Sequence, residues 1–223
     1  MRGAVLRLFY RALLRDPAYR FLFEPGPPGE VVSLDCETTG LNTWLDDVIA
    51  VAAVQVRGNR ILASERFEAI VRVERPLSAE SIKVHGLRER DLSAGRPMDE
   101  VLPELLRFIG GRPILGYYID FDFGMLNKYV WRQLGTRLPN ERIEISRLYF
   151  ERKYGNAPPL ARYDLRFGTI ARELGIPMLR QHDAFNDALL SAMIYLQLRD
   201  LQERGARLPR SDASLRVQPL IGG

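Results

Sequence analysis

The chain has 223 residues, of which 46% are hydrophobic and 27% charged, and this composition fits one folded domain with short extensions. One cysteine and two histidines exclude an intramolecular disulfide and a Cys/His-rich zinc site. No apolar run approaches the roughly 18 to 20 residues that cross a bilayer. A soluble, cytoplasmic protein is therefore expected.

The net charge of +4 originates in the first 20 residues, which hold five arginines and one acid. The rest of the chain is balanced, which argues against a protein that coats nucleic acid through a uniformly basic surface. Apolar residues between the arginines predict an amphipathic helix, which the Pro/Gly run at residues 25–29 ends. This helix is expected to pack on the main domain, with a membrane-surface or nucleic-acid-binding role left open.

The predicted elements follow one another from residue 30 onward. Strands are expected at residues 30–36, 47–56, 61–73, 113–118 and 142–145, and helices near 98–109, 123–134, 165–174 and 184–202. Residues 57–60 predict a hairpin turn. This order indicates an α/β sheet that begins with an antiparallel hairpin. We expect a helical extension and linker over residues 1–29, the main domain over 30–204, and a flexible tail over 205–223.

Two carboxylates, Asp35 and Glu37, lie at the end of the first predicted strand. Residues two apart in a strand point to the same face, about 6 to 7 Å apart along the chain. They repel each other unless a cation lies between them, and oxygen ligands suit Mg²⁺. A chance surface pair is the alternative. Cys36 should point to the opposite face, into the core.

Three motifs carry a family resemblance. Residues 33–41 (Ser-Leu-Asp-Cys-Glu-Thr-Thr-Gly-Leu) resemble the first motif of the DnaQ-like 3′→5′ exonucleases, the DEDD superfamily that includes the epsilon subunit of bacterial DNA polymerase III. Residues 116–126 resemble the second motif and select Asp122. Residues 182–188 resemble the third, His-x-Ala-x-x-Asp, in which His182 precedes Asp187 by five residues and marks the DEDDh branch. The resemblance covers residues 31–198 and includes a recurrent segment at 84–87.

The resemblance implies a ribonuclease H-like fold, with a mixed five-stranded sheet flanked by helices. It also implies a metal-dependent 3′→5′ exonuclease that releases nucleoside 5′-monophosphates, with DNA the favoured substrate. Two Mg²⁺ or Mn²⁺ ions would lie about 3.5 to 4 Å apart. Asp35, Glu37 and Asp187 would hold one ion, and Asp35 and Asp122 the other. His182 would act as general base, because imidazole is usefully basic at neutral pH.

The residues around the first two motifs are expected to contact the substrate. By resemblance, the backbone around Thr38 meets the terminal 3′-hydroxyl and Leu41 packs against the last base. Tyr117 and Tyr118 stand where many relatives carry His-Asn, so they either stack on bases or are buried. Asp120 is expected to be a solvent-facing acid without a role.

Several alternatives stay open at this level. The expected partner is a single-stranded or frayed 3′ end, and a polymerase is a second candidate partner through the N-terminal helix. Docking to that polymerase as the main role, RNA trimming, and hydrolysis of small phosphomonoesters are the competing functions. His85 is expected to be a loop-packing residue. Arg162, Arg166 and Arg180 are either phosphate contacts or surface residues without a role.

Overall fold

The computed structural model describes residues 2–75, 77–155 and 163–209, so Arg162 and most of the predicted tail lie outside the described residues. The described strands are β1 (Glu30–Thr38), β2 (Val48–Arg57), β3 (Arg60–Ile70), β4 (Ile114–Gly116) and β5 (Arg142–Glu144). The described α-helices are α1 (Arg2–Leu13), α2 (Ala79–His85), α3 (Glu89–Ser93), α4 (Met98–Ile109), α5 (Ile119–Leu134), α6 (Ile145–Lys153), α7 (Phe167–Glu173) and α8 (Ala184–Glu203). A 3-10 helix, Pro17–Phe23, follows α1.

All five strands form one sheet in the order β3-β2-β1-β4-β5. β1, β2 and β3 are antiparallel neighbours, whereas β4 and β5 run parallel to β1. The predicted mixed sheet with an antiparallel start is confirmed. Because parallel strands end at the same edge, Thr38, Gly116 and Glu144 lie along one edge of the sheet, where α5 and α6 begin.

The alternation of β1 separates its polar residues from its apolar ones. Leu34 and Cys36 belong to the core cluster that also contains residues of α4 and α5, and the predicted burial of Cys36 is confirmed. Ser33 points to the other face, where its hydroxyl donates a hydrogen bond of 2.6 Å to the carbonyl of Ala188 in α8. Asp35 and Glu37 share that face, and α8 covers it.

Two predicted boundaries differ from the structure by three residues or more. β3 ends at Ile70 rather than at residue 73, because the chain beyond it pairs with Arg96. Val71 forms an isolated bridge with Arg96, and the N–H of Arg72 donates to the Arg96 carbonyl at 2.9 Å. α5 begins at Ile119 rather than at residue 123, because the Glu144 carboxylate accepts the backbone N–H of Ile119 at 3.0 Å. The first N–H groups of a helix have no partner within the helix, so an outside acceptor stabilises them. Here the acceptor is Glu144, the last residue of β5.

Helix α6 is absent from the sequence-based elements. Its nine residues hold three charged side chains in the second half, and only Ile145, Leu148 and Tyr149 follow a helical apolar spacing. One short stripe of this kind is a weak signal. Tyr149 is fully buried in the core cluster beneath α8, so tertiary packing stabilises this helix.

The N-terminal extension packs against the domain through part of its length. Leu22 of the 3-10 helix is fully buried in the core. The hydroxyl of Thr136 donates a hydrogen bond of 2.6 Å to the carbonyl of Tyr10, and Arg15 N–H donates one of 2.9 Å to the carbonyl of Leu134. α1 therefore lies beside the end of α5. Its outer residues Val5, Leu6, Leu8 and Phe9 are exposed.

The division of the chain at residues 29 and 204 stays a prediction. Within the described ranges, none of the helices combines the length and the hydropathy needed to cross a bilayer.

Candidate active site

Three carboxylates converge at the edge of the sheet. One oxygen from each of Asp35, Glu37 and Asp187 lies within 4.8 Å of the others. Asp187 is in the first turn of α8, and its Oδ2 accepts the backbone N–H of His182 at 3.0 Å. Within the described part of the chain, its Oδ1 is buried and has no hydrogen-bond partner. Such an oxygen is costly to bury alone, so this group has the chemistry of a divalent-cation site.

Asp122 lies beside this group without belonging to it. It is buried in the first turn of α5, and its Oδ1 accepts the backbone N–H of Cys36 at 3.0 Å. That bond ties α5 to β1 between Asp35 and Glu37. The charge of Asp122 also raises the pKa of Asp35, so the two carboxylates interact. The structure thus brings together all four acids that the motifs select, three as a compact group and Asp122 next to it.

The electrostatics of the four acids are unfavourable for ionisation. Burial, reinforced by the charges of Asp122, Asp187 and Glu37, raises the pKa of Asp35 well above its ordinary value. Burial and the Asp187 charge raise the pKa of Glu37 to about 7. Burial also raises the pKa of Asp122 to about 8, although hydrogen bonds from Cys36 oppose the shift.

Asp187 follows the same pattern. Burial raises its pKa, and the hydrogen bond and charge of His182 only oppose the shift. Among the described residues, no lysine or arginine contributes to the shifts of these four acids. The four crowded carboxylates therefore have no lysine or arginine partner among the described residues, and a bound divalent cation would stabilise this arrangement.

His182 adopts a backbone conformation that is uncommon for residues other than glycine. Its φ is 58°, and Tyr118, with φ of 56°, is the only other non-glycine residue with positive φ in the described ranges. Both precede helices that carry an acid in their first turn, Asp187 on α8 and Asp122 on α5. Strained backbone of this kind is concentrated at functional sites. The His182 side chain is exposed to solvent beside the acids.

Glu144 is a positioning residue that the sequence analysis missed. Its carboxylate accepts the N–H groups of Tyr118 (3.2 Å), Ile119 (3.0 Å) and Ser146 (3.0 Å), so it caps the starts of both α5 and α6. By fixing the start of α5, Glu144 fixes the direction of Asp122. The sequence does show an acid at the end of the predicted strand that became β5. Glu37 occupies the same kind of position near the end of β1.

The loop of residues 39–47 follows the acids of β1 directly and is tightly hydrogen-bonded. Thr38 Oγ1 donates to the carbonyl of Gly40 at 2.7 Å, and the Asp46 carboxylate accepts from Thr39 Oγ1 (3.2 Å) and from the backbone N–H of Asn42 (2.8 Å). Leu41 is 86% exposed on this loop. A large apolar side chain is therefore held in solvent next to the carboxylates.

The two tyrosines of the second motif differ in their surroundings. Tyr117 donates a hydrogen bond of 3.0 Å to the carbonyl of Leu165, and its ring stacks on Phe167 at 4.7 Å. Tyr118 is 63% exposed. Of the pair, only Tyr118 presents an aromatic face to solvent. Asp120 also faces solvent and pairs with Arg142 at 2.8 Å.

His85 is buried and hydrogen-bonded on both ring nitrogens. Its Nδ1 accepts the N–H of Leu87 at 3.0 Å, so Nε2 carries the proton and donates to Ser81 Oγ at 2.7 Å. The Ser81 hydroxyl in turn donates to the carbonyl of Thr38 at 3.3 Å. Burial and the charge of His182 lower the pKa of His85. These contacts fit the expected loop-packing role and link that loop to the end of β1.

A mixed sheet of this order, with crowded carboxylates at its edge, defines the class of ribonuclease H-like nucleases. A family model described as Exonuclease matches residues 32–195. The chain belongs to this exonuclease family, in its DnaQ-like group.

Two of the similar proteins are forms or subunits of DNA polymerase III. The chain is 31% identical to the DNA polymerase III subunit epsilon of Aquifex aeolicus over 173 residues, which are 76% of this chain and 80% of that protein. It is 26% identical to the PolC-type DNA polymerase III of Thermotoga maritima over 196 residues, 85% of this chain. The chain spans only 13% of that much longer polymerase.

Solved structures share the fold at lower identity. E. coli exonuclease I, in complex with a dA16 oligonucleotide, superposes with a TM-score of 0.65 at 16% identity, over 79% of this chain and 42% of that one. Exonuclease X, in complex with 5′-overhanging duplex DNA, superposes with a TM-score of 0.60 at 18% identity, over 80% of this chain and 95% of that one.

Proposed function

We propose that the protein is a 3′→5′ exonuclease that removes nucleoside 5′-monophosphates from DNA ends. The observation that carries this proposal is the convergence of Asp35, Glu37 and Asp187 within 4.8 Å, with a buried Asp187 oxygen that has no hydrogen-bond partner among the described residues. The named DNA complexes of exonuclease I and exonuclease X support DNA as the substrate class.

The four acids would hold two divalent ions, Mg²⁺ or Mn²⁺. Asp35, Glu37 and Asp187 would hold one, and Asp35 and Asp122 the other. When bound, these ions supply an activated water and stabilisation of the leaving 3′-oxygen. Backbone hydrogen bonds hold two of these acids in position. Asp122 accepts the N–H of Cys36 in β1, and Asp187 accepts the N–H of His182.

His182 would take the proton from the attacking water. The backbone N–H of His182, rather than a ring nitrogen, donates to Asp187. The imidazole would therefore be available to the attacking water. An exposed imidazole can return the proton to solvent, so one histidine serves repeated turnovers.

Residues at the end of β1 and in the loop after it would select a strand terminus over an internal phosphate. Leu41, held in solvent by the hydrogen-bonded loop, would pack on the terminal base, and the backbone at Thr38 would meet the terminal 3′-hydroxyl. The exposed ring of Tyr118 would add a stacking surface.

The direction of cleavage tests this proposal. A 5′-labelled single-stranded DNA should give a ladder that shortens from its 3′ end with Mg²⁺ or Mn²⁺, and a bulky 3′ block should slow it. A matched RNA oligonucleotide tests the sugar preference, and closed circular single-stranded DNA is the control for internal cutting. Rapid cutting of the circle would overturn the exonuclease assignment, as would activity that survives removal of the metal ions.

Docking to a replicative polymerase is a second candidate role. The relatives named epsilon and PolC favour it, and so does α1, which leaves Val5, Leu8 and Phe9 in solvent. The isolated full chain distinguishes the two roles. Degradation of oligonucleotides without any partner supports the nuclease as the main role, whereas an inactive isolated chain supports docking.

A further inference from the structure

A second groove lies on the side of α5 that faces away from the carboxylates. It has a volume of about 770 Å³ and is bounded by α1, by the outer face of α5, by residues 137–140, and by Thr43 and Trp44 of the 39–47 loop. Asp122 points to β1, whereas Asn127, Lys128 and Trp131 on the same helix line this groove. The groove is therefore distinct from the carboxylate site.

The groove carries excess positive charge. Five basic side chains and one acid line it, although residues 21–223 as a whole are balanced. Arg142 pairs with Asp120, the acid of the groove, at 2.8 Å. Lys128 pairs with Asp47 of the neighbouring loop at 3.2 Å. The excess charge therefore comes from Arg7, Arg132 and Arg137. Arg132 and Arg137 are exposed, and within the described ranges neither has an acidic partner or a hydrogen-bond acceptor. The basic residues that line the groove are Arg7, Lys128, Arg132, Arg137 and Arg142.

Both tryptophans of the chain line this groove, and both are exposed. Trp44 is 82% exposed on the 39–47 loop, and Trp131 is 48% exposed on α5. Large aromatic faces interleaved with unpaired arginines form a surface on which bases stack and phosphates bind. The helix from Asp120 to Arg132 is about 18 Å long, which is enough to contact several phosphates of one strand.

The 39–47 loop connects the end of β1, which carries Asp35 and Glu37, to the groove, which Thr43 and Trp44 line. It follows Thr38 directly, and a methyl group placed on Gly124 would come within 3.3 Å of Thr43, so the loop rests on α5. Leu41 and Trp44 stand out from this loop. A strand whose 3′ end lies at the carboxylates would therefore meet Leu41, and the groove lies farther along the same loop, at Thr43 and Trp44.

We infer that this groove binds the uncleaved strand of a duplex end, after the 39–47 loop has parted it from the strand being degraded. The inference rests on the proposed function, because it takes the carboxylates as the place of the cleaved 3′ end. Arg132 and Arg137 contact the phosphates of the uncleaved strand, and its bases stack on Trp131. α1 forms one wall of the groove and contributes Arg7.

Activity on matched substrates tests this assignment. One 5′-labelled DNA strand is used alone and annealed to a longer complement that leaves its 3′ end recessed. We expect Arg132→Ala/Arg137→Ala and Trp131→Ala to lower kcat/KM on the duplex at least about 10-fold, and to change it less than about 2-fold on the single strand. Arg60→Ala/Arg107→Ala is the control, because both arginines are exposed outside the groove, and it should leave both substrates unchanged.

The outcomes separate this inference from the proposed function. Wild-type protein that degrades neither substrate contradicts the proposed function. Equal losses on both substrates would show that the groove binds the degraded strand, and no loss on the duplex would show that it binds no strand; either result overturns the inference.

Tryptophan fluorescence gives a readout that does not depend on cleavage. In Trp44→Phe/Asp187→Asn the only remaining tryptophan is Trp131, and Asp187→Asn prevents degradation during the titration. The duplex should quench Trp131 and the single strand should not. Arg132→Ala/Arg137→Ala in this background should reduce the slope of log K against log salt by roughly 1.4 to 1.8. An unquenched Trp131 in the presence of saturating duplex overturns the inference.

Discussion

The two ends of β1 bury the same residue type in opposite electrostatic environments. Glu30 at its start is 8% exposed and Glu37 near its end is 9% exposed. Glu30 pairs with Arg57 at 2.6 Å and with Arg112 at 2.8 Å. Although burial alone raises its pKa, these two arginines lower the pKa of Glu30 below its ordinary value. The pKa of Glu37 rises to about 7.

The pKa values of Glu30 and Glu37 move in opposite directions because their charged neighbours differ, although the two side chains are equally buried. A buried carboxylate is stable when cations and hydrogen bonds compensate it, and Glu30 has both. Glu37 instead faces Asp187 and Asp183, which share its sign. A buried carboxylate without a compensating cation destabilises the fold, so its presence indicates a purpose other than stability. Raised carboxylate pKa values of this kind are concentrated at functional sites. The start of β1 is therefore structural, and its end is the proposed reactive centre.

The largest expected effect is on activity at the uncompensated end. Glu37→Gln, Asp187→Asn and Asp122→Asn should reduce nuclease activity by about 10⁴-fold or more, because residues that act as one unit fail together. Glu30→Gln is the matched control and should leave kcat unchanged. Rates come from single-turnover cleavage of a 5′-labelled oligonucleotide. Full activity in Asp122→Asn would remove this residue from the reactive centre.

A second expected effect concerns His182. Because His182 has a positive φ, alanine there adds backbone strain, whereas asparagine tolerates this conformation. His182→Asn should therefore keep the fold and the metal affinity but lower kcat by about 10²- to 10⁴-fold. Unchanged cleavage in His182→Asn would exclude a general base at this position.

A smaller effect concerns the stability of the metal-free protein. In the folded state the pKa values of Glu37 and Asp122 are about 7 and about 8, whereas in the unfolded chain both ionise near pH 4. Between about pH 4 and 8 the folded state thus binds more protons, so the free energy of unfolding falls as pH rises. Thermal unfolding should show a lower Tm at pH 8 than at pH 5.5, and Mn²⁺ should restore it.

The matched variants sharpen this test. Glu37→Gln should make the pH dependence shallower by up to about 1.4 kcal/mol per pH unit. Glu30 ionises below this range, so Glu30→Gln should lower stability by about 1 to 2 kcal/mol at both pH values and leave the slope intact. A metal-free Tm that rises from pH 5.5 to 8 would contradict the assigned pKa directions.

The sequence predicted the strands and acids because their signals are local. The position of Asp35 and Glu37 follows from strand alternation, and the motif spacing selected Asp122 and Asp187. The positive φ of His182 has no local signal in the sequence. The position of Glu144 at the end of a strand is visible in the sequence, but its capping of α5 is not, because that contact joins distant elements. The groove beside α5 arises only when α1 packs against that helix.

A titration with Mn²⁺ tests the contrast between the two ends of β1 most directly. Isothermal calorimetry at about pH 7.5 would compare the wild-type chain with Glu30→Gln and Glu37→Gln. We expect the wild type and Glu30→Gln to bind Mn²⁺ with the same Kd, and Glu37→Gln to bind it at least about 10-fold more weakly. Equal affinity in Glu37→Gln, or no binding by the wild-type chain, would contradict the assignment of the uncompensated carboxylates as the metal centre.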